Sequence, residues 1–174
     1  MEADDKAAVI RFAESLPPHD LLFLNRDITK RPVVDAWIAS NEDGSMTTLL
    51  AEYEGELVGC AALRQDPMSW SPHVGELRVL VAKGARKHGL GRYLIEQAFR
   101  VALDKDLEKL TARMTPDQSG AITVFEELGF RGEALLKDHV RDGGGDMHDI
   151  VVLACNVRNA AAHIEALGMG ESAT

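Results

Sequence analysis

Arg86-Lys87-His88-Gly89-Leu90-Gly91, with Arg92 behind it, brings together residue types suited to one chemistry, the holding of phosphate. The run lies between an apolar, strand-like stretch and a segment of helical periodicity. At such a junction the first N–H groups of the helix have no partner and its dipole turns a positive end the same way. Gly89 and Gly91 let the main chain approach an anion, while Arg86, Lys87 and Arg92 add charge fit for a pyrophosphate or ribose phosphate. The alternative is a plain tight turn from strand to helix. Residues 77 to 95 also carry Arg78 and Lys83 and no carboxylate, a local excess of positive charge in a chain of net charge −9. Two other phosphate loops are excluded. Leu90-Gly91 stands where a P-loop needs Lys-Ser/Thr after the gap from Gly84 to Gly89. Leu94 stands where a dinucleotide fingerprint needs its third glycine.

The elements that must position this loop follow from periodicity. Val9, Phe12, Ala13 and Leu16 predict an amphipathic helix stopped by Pro17-Pro18, and Pro32 opens a second near residues 31 to 40. Thr47 to Tyr53 and Glu56 to Leu63 read as a hairpin turning at Glu54-Gly55. A third strand, Glu76 to Ala82, feeds the glycine loop. The following helix turns Leu90, Leu94, Ala98, Val101 and Ala102 inward, and Leu110 to Met114 alternate as a fourth strand. Gln118 to Leu128 predicts a helix closed by Gly129. Phe130 to Val140 and Met147 to Val157 form a second hairpin about the turn 141–146, before a last helix from Arg158 to Leu167 and a polar tail. Hairpins give antiparallel pairs and strand-helix-strand units give parallel ones, so the class is α+β with a mixed sheet.

Composition narrows the function. A chain of 174 residues, 45% hydrophobic, fits one domain. With no run of eighteen apolar residues and no basic, apolar leader at Met1 to Asp5, the expectation is a cytoplasmic protein. The acidic balance speaks against nucleic acid and anionic membrane as partners and favours a cationic acceptor. Cys60 and Cys155 lie in apolar runs and are expected as reduced core thiols. His139 and His148 flank the last turn, but two histidines without a third ligand do not make a metal site, and none is expected.

The strand Glu76-Leu77-Arg78-Val79-Leu80-Val81 followed by Arg86-x-x-Gly89-x-Gly91 resembles the acetyl-CoA motif of the GNAT N-acetyltransferases. Ala121-Ile122-Thr123-Val124-Phe125-Glu126-Glu127-Leu128-Gly129-Phe130 resembles the family's second motif, in the right order and at the right spacing. The resemblance covers residues 47 to 157. It implies a mostly antiparallel twisted sheet with a central, splayed parallel pair flanked by helices. It also divides a single domain, 1–174, into a helical acceptor side (1–46), a cofactor core (47–130), a C-terminal hairpin (131–157) and a helix with tail (158–174). Acetyl-CoA would be the co-substrate and an amine the acceptor, joined in direct transfer. Val79, Leu80 and Val81 would pair with the pantetheine arm, a backbone N–H near Leu80 would face the oxyanion, and Lys87, His88, Gly89, Leu90, Gly91 and Arg92 would cradle the pyrophosphate.

Three departures carry consequences. Gln118 replaces the family's usual asparagine and keeps an amide. Phe125 replaces the tyrosine that often protonates the departing thiolate, and a phenyl ring has no proton to give. Met1 to Asp5 is too short and acidic for the family's first strand, so that strand is expected to be missing. Thr47 to Tyr53 would then lie at an exposed edge unless another segment, or a second subunit as in a homodimer, covers it. An amine must lose its proton before it attacks. Glu76 is the first candidate base because the family often places a carboxylate there; the alternative is a strand residue paired with Arg78. His73, just before the strand, is the second. Trp37, Trp70 and Phe23 are candidates for an acceptor pocket or for core. Two rival functions remain at this point: an acyl-CoA-binding sensor that has lost turnover, favoured by Phe125, and a ligand-free scaffold of the same fold.

Overall fold

The computed structural model describes residues 1–168, and the polar tail read from the sequence lies beyond them. A 3-10 turn at Ala3–Asp5 leads into α1 (Lys6–Ser15), which buries Val9, Phe12 and Ala13. Pro17-Pro18 ends the helix because proline offers no N–H to continue it. A 3-10 segment, Pro18–Leu24, then stands where the sequence indicated only a break. Asn25, at φ 63, turns the chain out of that segment toward α2 (Arg31–Glu42), which has Pro32 in its first turn.

β1 (Met46–Tyr53) and β2 (Glu56–Gln65) form a hairpin whose two turn residues, Glu54 and Gly55, have φ of 52 and 82. Positive φ at both positions suits the right-handed twist of the flanking strands. β3 (Val74–Val81) runs antiparallel to β2, and α3 (Leu90–Asp104) carries the chain across to β4 (Lys109–Met114), parallel to β3. α4 (Ser119–Glu127) leads to the hairpin of β5 (Arg131–Arg141) and β6 (Met147–Asn156), and α5 (Val157–Ala166) follows. The six strands lie in the order β1-β2-β3-β4-β6-β5. This is the mixed α+β sheet expected, mostly antiparallel with β3–β4 as its parallel pair. Among the described residues no strand precedes α1, and β1 is paired on the β2 side alone.

β3 begins at Val74, two residues before the predicted start. Gly75 pairs with Gln65 and Leu110 within the strand, and glycine is needed there because a Cβ would come within 2.7 Å of Leu107, 2.9 Å of Leu110 and 3.0 Å of Leu63. Alternation splits the strands between two cores. Ala61, Leu63, Leu77, Leu110 and Leu153 meet α3, α4 and α5 on one face. Cys60, Leu80 and Ile150 meet α1, α2 and the 3-10 segment on the other. The α3 stripe is wider than predicted, since Ile95 and Phe99 are buried beside Leu94, Ala98 and Ala102.

Candidate active site

β3 and β4 stay in register for four residue pairs only, from Val74 opposite Lys109 to Leu77 opposite Ala112. Beyond that point they part. Ala82 N donates to Val58 O at 2.8 Å, which sets the phase of the β2–β3 ladder. Alternate residues of an antiparallel strand bond the same neighbour, so Leu80 exchanges its main-chain bonds with Cys60. Val79 and Val81 turn their N–H and C=O the other way, into the opening left by β4. The sequence reading is therefore corrected at Leu80. Its peptide groups are committed to β2, and its buried side chain faces a cleft on the opposite side of the sheet.

The glycine loop stands at the end of this open edge. Lys83–Ala85 forms a 3-10 turn, Lys87 has φ 65, and Gly89 has φ 82 as the residue before α3. The first helical bond runs from Tyr93 N to Gly89 O at 3.0 Å, leaving the N–H groups of Leu90, Gly91 and Arg92 without a carbonyl inside the helix. A Cβ on Gly91 would touch only Val81 Cγ2, at an ordinary 3.7 Å, so close packing of the protein does not require glycine there. Arg86 is committed: its Nε donates to Val81 O at 3.1 Å and its Nη2 to Asp20 Oδ2 at 2.6 Å. Arg92 is ion-paired with Glu127 of α4. Lys87 and His88 are exposed, and Lys87 forms no ion pair among the described residues. An extended edge with unpaired N–H groups that leads to bare helical N–H groups and a lysine fits a coenzyme with an amide-bearing arm and a diphosphate.

On the β4 side, Gln118 Oε1 accepts from Thr115 N at 3.2 Å, which leaves its amide N–H groups for other partners. Phe125 is buried, its ring edge-to-face with Phe130 at 4.9 Å between centroids, and it belongs to the core. Leu90 likewise packs its side chain against that core.

Glu76 lies on the same face of β3 as Arg78 and Leu80. Its Oε1 accepts from Arg78 Nε at 2.7 Å, both side chains being 18% exposed, so the pairing raised as an alternative is present. Oε2 makes no hydrogen bond among the described residues. His73 is exposed at the closed end of the parallel pair, where its carbonyl accepts from Glu108 N and Lys109 N. Six residues of strand, roughly 20 Å, separate it from Val79, and the structure does not bring it to the opening.

Two residues that sequence reasoning passed over stand at that opening. His19 Nε2 lies 2.8 Å from Asp117 Oδ2 and 3.4 Å from the hydroxyl of Thr115, at the end of β4. Its neighbour Asp20 holds Arg86 at the end of β3, so one short segment bridges the two parted strands. Burial pushes the Asp117 carboxyl up, but the bonds from Thr115 and His19 outweigh it and hold the group below the usual carboxylate range. His148 faces His19, with ring centroids 5.1 Å apart, and its Nε2 meets Asp142 Oδ2 at 2.8 Å. No spacing in the sequence relates His19 to Asp117. No cluster of His, Cys, Asp and Glu able to hold a metal occurs among the described residues.

The cleft beneath α2 encloses about 230 Å³, with Cys60, Ala62 and Leu80 from the sheet and Trp37 from the helix. Trp37 is fixed by its Nε1 donating to Thr48 Oγ1 at 2.9 Å. Phe23 is core and Trp70 is fully exposed, so of the three predicted aromatics Trp37 alone lines this cleft. Cys60 is buried, and loss of solvation pushes its thiol up to about 12, as it does that of Cys155. Neither is a ready nucleophile. The charged residues of the lining are Arg26, Arg64 and Arg78, which sits poorly with the cationic acceptor expected from net charge.

The acetyltransferase (GNAT) family model matches residues 13–130, and the chain belongs to that family. Solved structures share its fold. A ribosomal-protein-alanine N-acetyltransferase from Brucella melitensis is 23% identical with a TM-score of 0.73, the alignment covering 88% of this chain and 94% of that one. The yncA protein of Salmonella typhimurium, solved with its cofactor acetyl-CoA, is 18% identical with a TM-score of 0.76, covering 90% and 91%. The ribosomal-protein-S18-alanine N-acetyltransferase of Escherichia coli is 17% identical with a TM-score of 0.69, covering 90% of each chain. No curated protein sequence matches this one. No helix among the described residues is long and apolar enough to cross a membrane.

Proposed function

We propose that this acetyltransferase moves an acetyl group from acetyl-CoA to an amine by direct attack in a ternary complex. One observation carries the reading: the gap-facing edge of Val79 and Val81, whose N–H groups have no partner among the described residues while Val81 O is held by Arg86, runs from the parting of β3 and β4 to the bare N–H groups at the start of α3. The pantetheine arm would add to that edge as a strand, and the diphosphate would rest on Lys87 to Arg92. Arg86 and Arg92 would share their present carboxylate partners with the phosphates, while Gln118 would offer its amide N–H groups.

The amine nitrogen attacks the thioester carbon, the C–S bond breaks, the acetyl group leaves on nitrogen, and the second proton which that nitrogen sheds passes to the departing thiolate or to water. A gap-facing N–H, that of Val79 or Val81, is the donor for the oxyanion. Glu76 takes the proton from the ammonium through Oε2, directly or by one water. Phe125 supplies no proton to the thiolate, which with a pKa of about 8.5 is already a fair leaving group. The raised thiol of Cys60 argues against a covalent acetyl-enzyme. The two unbridged cysteines accord with a reducing, cytoplasmic setting, and the uncovered edge of β1 is where a second copy would pair.

The buried, hydroxyl-free Phe125 favours one other reading, a sensor that binds acyl-CoA without turnover. Thiol release from acetyl-CoA over a screen of amines, with calorimetry of CoA itself, separates them. Steady release with any amine supports the transferase, whereas binding without release supports the sensor. If CoA gives no heat and no thermal shift, neither reading stands.

A further inference from the structure

The cleft between α2 and the sheet has a chemistry that the transfer reading leaves unused. Three arginines line it and no carboxylate does, Glu76 standing beside it as the partner of Arg78, in a chain that is otherwise strongly acidic. Arg64 of β2 stands directly opposite Glu76 of β3, and Arg78 is opposite Ala62, so Arg64 and Arg78 are diagonal neighbours on one face of the ladder. Such neighbours are about 7–8 Å apart at Cα, within reach of one small anion for side chains of this length. Arg78 spends Nε on Glu76, a bond that fixes its plane and leaves both terminal nitrogens for the cleft. Arg26 reaches the same space from the loop after Pro18–Leu24. Neither Arg26 nor Arg64 has a carboxylate within ion-pair distance among the described residues. Apart from Asn25 and Ser40, the rest of the lining is mainly apolar, with Ile28, Val33, Trp37 and Leu80 among it.

We propose that this cleft selects an acceptor bearing a carboxylate beside its amine, a free amino acid with an apolar side chain. The guanidinium fork matches a carboxylate in two parallel bonds, which gives direction as well as attraction. Held at Arg64 and Arg78, the carboxylate leaves the amine free to lie toward Leu80 and the parting of the strands, while the side chain meets Trp37. A volume of about 230 Å³ falls below the ~300 Å³ at which sites for drug-sized ligands begin, which suits a small acceptor. A polyamine would bring positive charge to three guanidiniums. A protein N-terminus would bring an amide where the cleft is built for a carboxylate.

The inference rests on reading the cleft as the acceptor site of an acetyl transfer, and the test keeps the two apart. Thiol release is measured with L-phenylalanine and L-leucine, with phenethylamine and isoamylamine as their counterparts lacking the carboxylate, with spermidine, and with a peptide beginning with alanine. The amino acids should exceed their counterparts in kcat/KM by about 10- to 100-fold, as expected for charge-assisted bonds. Arg64→Gln and Arg26→Gln, both at exposed positions, should raise KM for L-phenylalanine with little change in CoA affinity by calorimetry. If spermidine, the peptide or the plain amines are the better substrates, the transfer reading stands and this proposal falls. If no amine releases thiol, L-phenylalanine is titrated calorimetrically into the CoA complex of the wild type and of the double variant. Binding that the variant loses upholds the anion site and overturns the transfer, and no binding overturns the proposal.

Discussion

Replacing Gly91 with alanine separates what the fold needs from what a ligand needs. The new Cβ would meet only Val81 Cγ2 at 3.7 Å, and Gly91 is not among the residues of positive φ. Neither packing nor backbone strain therefore opposes the change. Alanine exceeds glycine in helix propensity by up to about 1 kcal/mol, less at a helix end, so the ligand-free protein should be as stable or slightly more so. For a chain of this size that gain corresponds to a rise in Tm of roughly 0–4 °C. Binding should move the other way. A methyl group over the N–H groups of Leu90 to Arg92 keeps a phosphate from closing on them, and one charge-assisted bond lost costs about 1.5–3 kcal/mol, roughly 10- to 150-fold in Kd for CoA. Thermal melts with and without CoA, together with calorimetry, read both effects in one preparation. A fall of more than ~4 °C in the ligand-free Tm would mean the glycine serves the fold. Unchanged CoA affinity would mean that no phosphate passes over it.

Glu76→Gln keeps the bond from Arg78 but removes the proton acceptor, so kcat should fall by about 10²–10³ near neutral pH with CoA affinity intact. Equal rates across pH 6 to 9 would remove Glu76 as base. Gly75→Ala forces a methyl group among Leu63, Leu107 and Leu110 and should cost about 1–3 kcal/mol, read as a lower midpoint in urea; an unaltered midpoint contradicts the packing described. Asp117 has a lowered folded pKa, so its pairing contributes stability above the unfolded carboxyl pKa of about 3.9, and this is lost as pH falls through the folded value. The Asp117→Asn variant should therefore lose less stability than the wild type between pH 5 and 2, and parallel curves would count against the His19–Asp117 pair.

The elements were legible because their signals are local. Pro17-Pro18, Glu54-Gly55 and Gly129 each end or turn an element by backbone chemistry alone, and each does so in the structure. The glycine loop between β3 and α3 was legible for the same reason. What escaped depends on register and on chain closure. The direction of the Leu80 peptide is fixed only once Ala82 is seen to bond Val58, since alternation shows which side chains share a face and not which edge the peptide groups use. The bridge from His19 to Asp117 joins residues 98 apart, and Pro18–Leu24 carried no periodic signal to mark it. The arginine cleft escaped because net charge averages over a surface, whereas Arg26, Arg64 and Arg78 meet only through the fold.

The short parallel contact from Val74 to Leu77 makes the sheet, in effect, two three-stranded plates sharing a narrow seam. Beyond the seam they are buttoned across by salt-sensitive clasps, Asp20 to Arg86 on one plate and His19 to Asp117 on the other. Peptide groups along the seam should thus exchange their hydrogens only when the plates come apart, while those of Val79 and Val81 should exchange readily until a ligand fills the wedge.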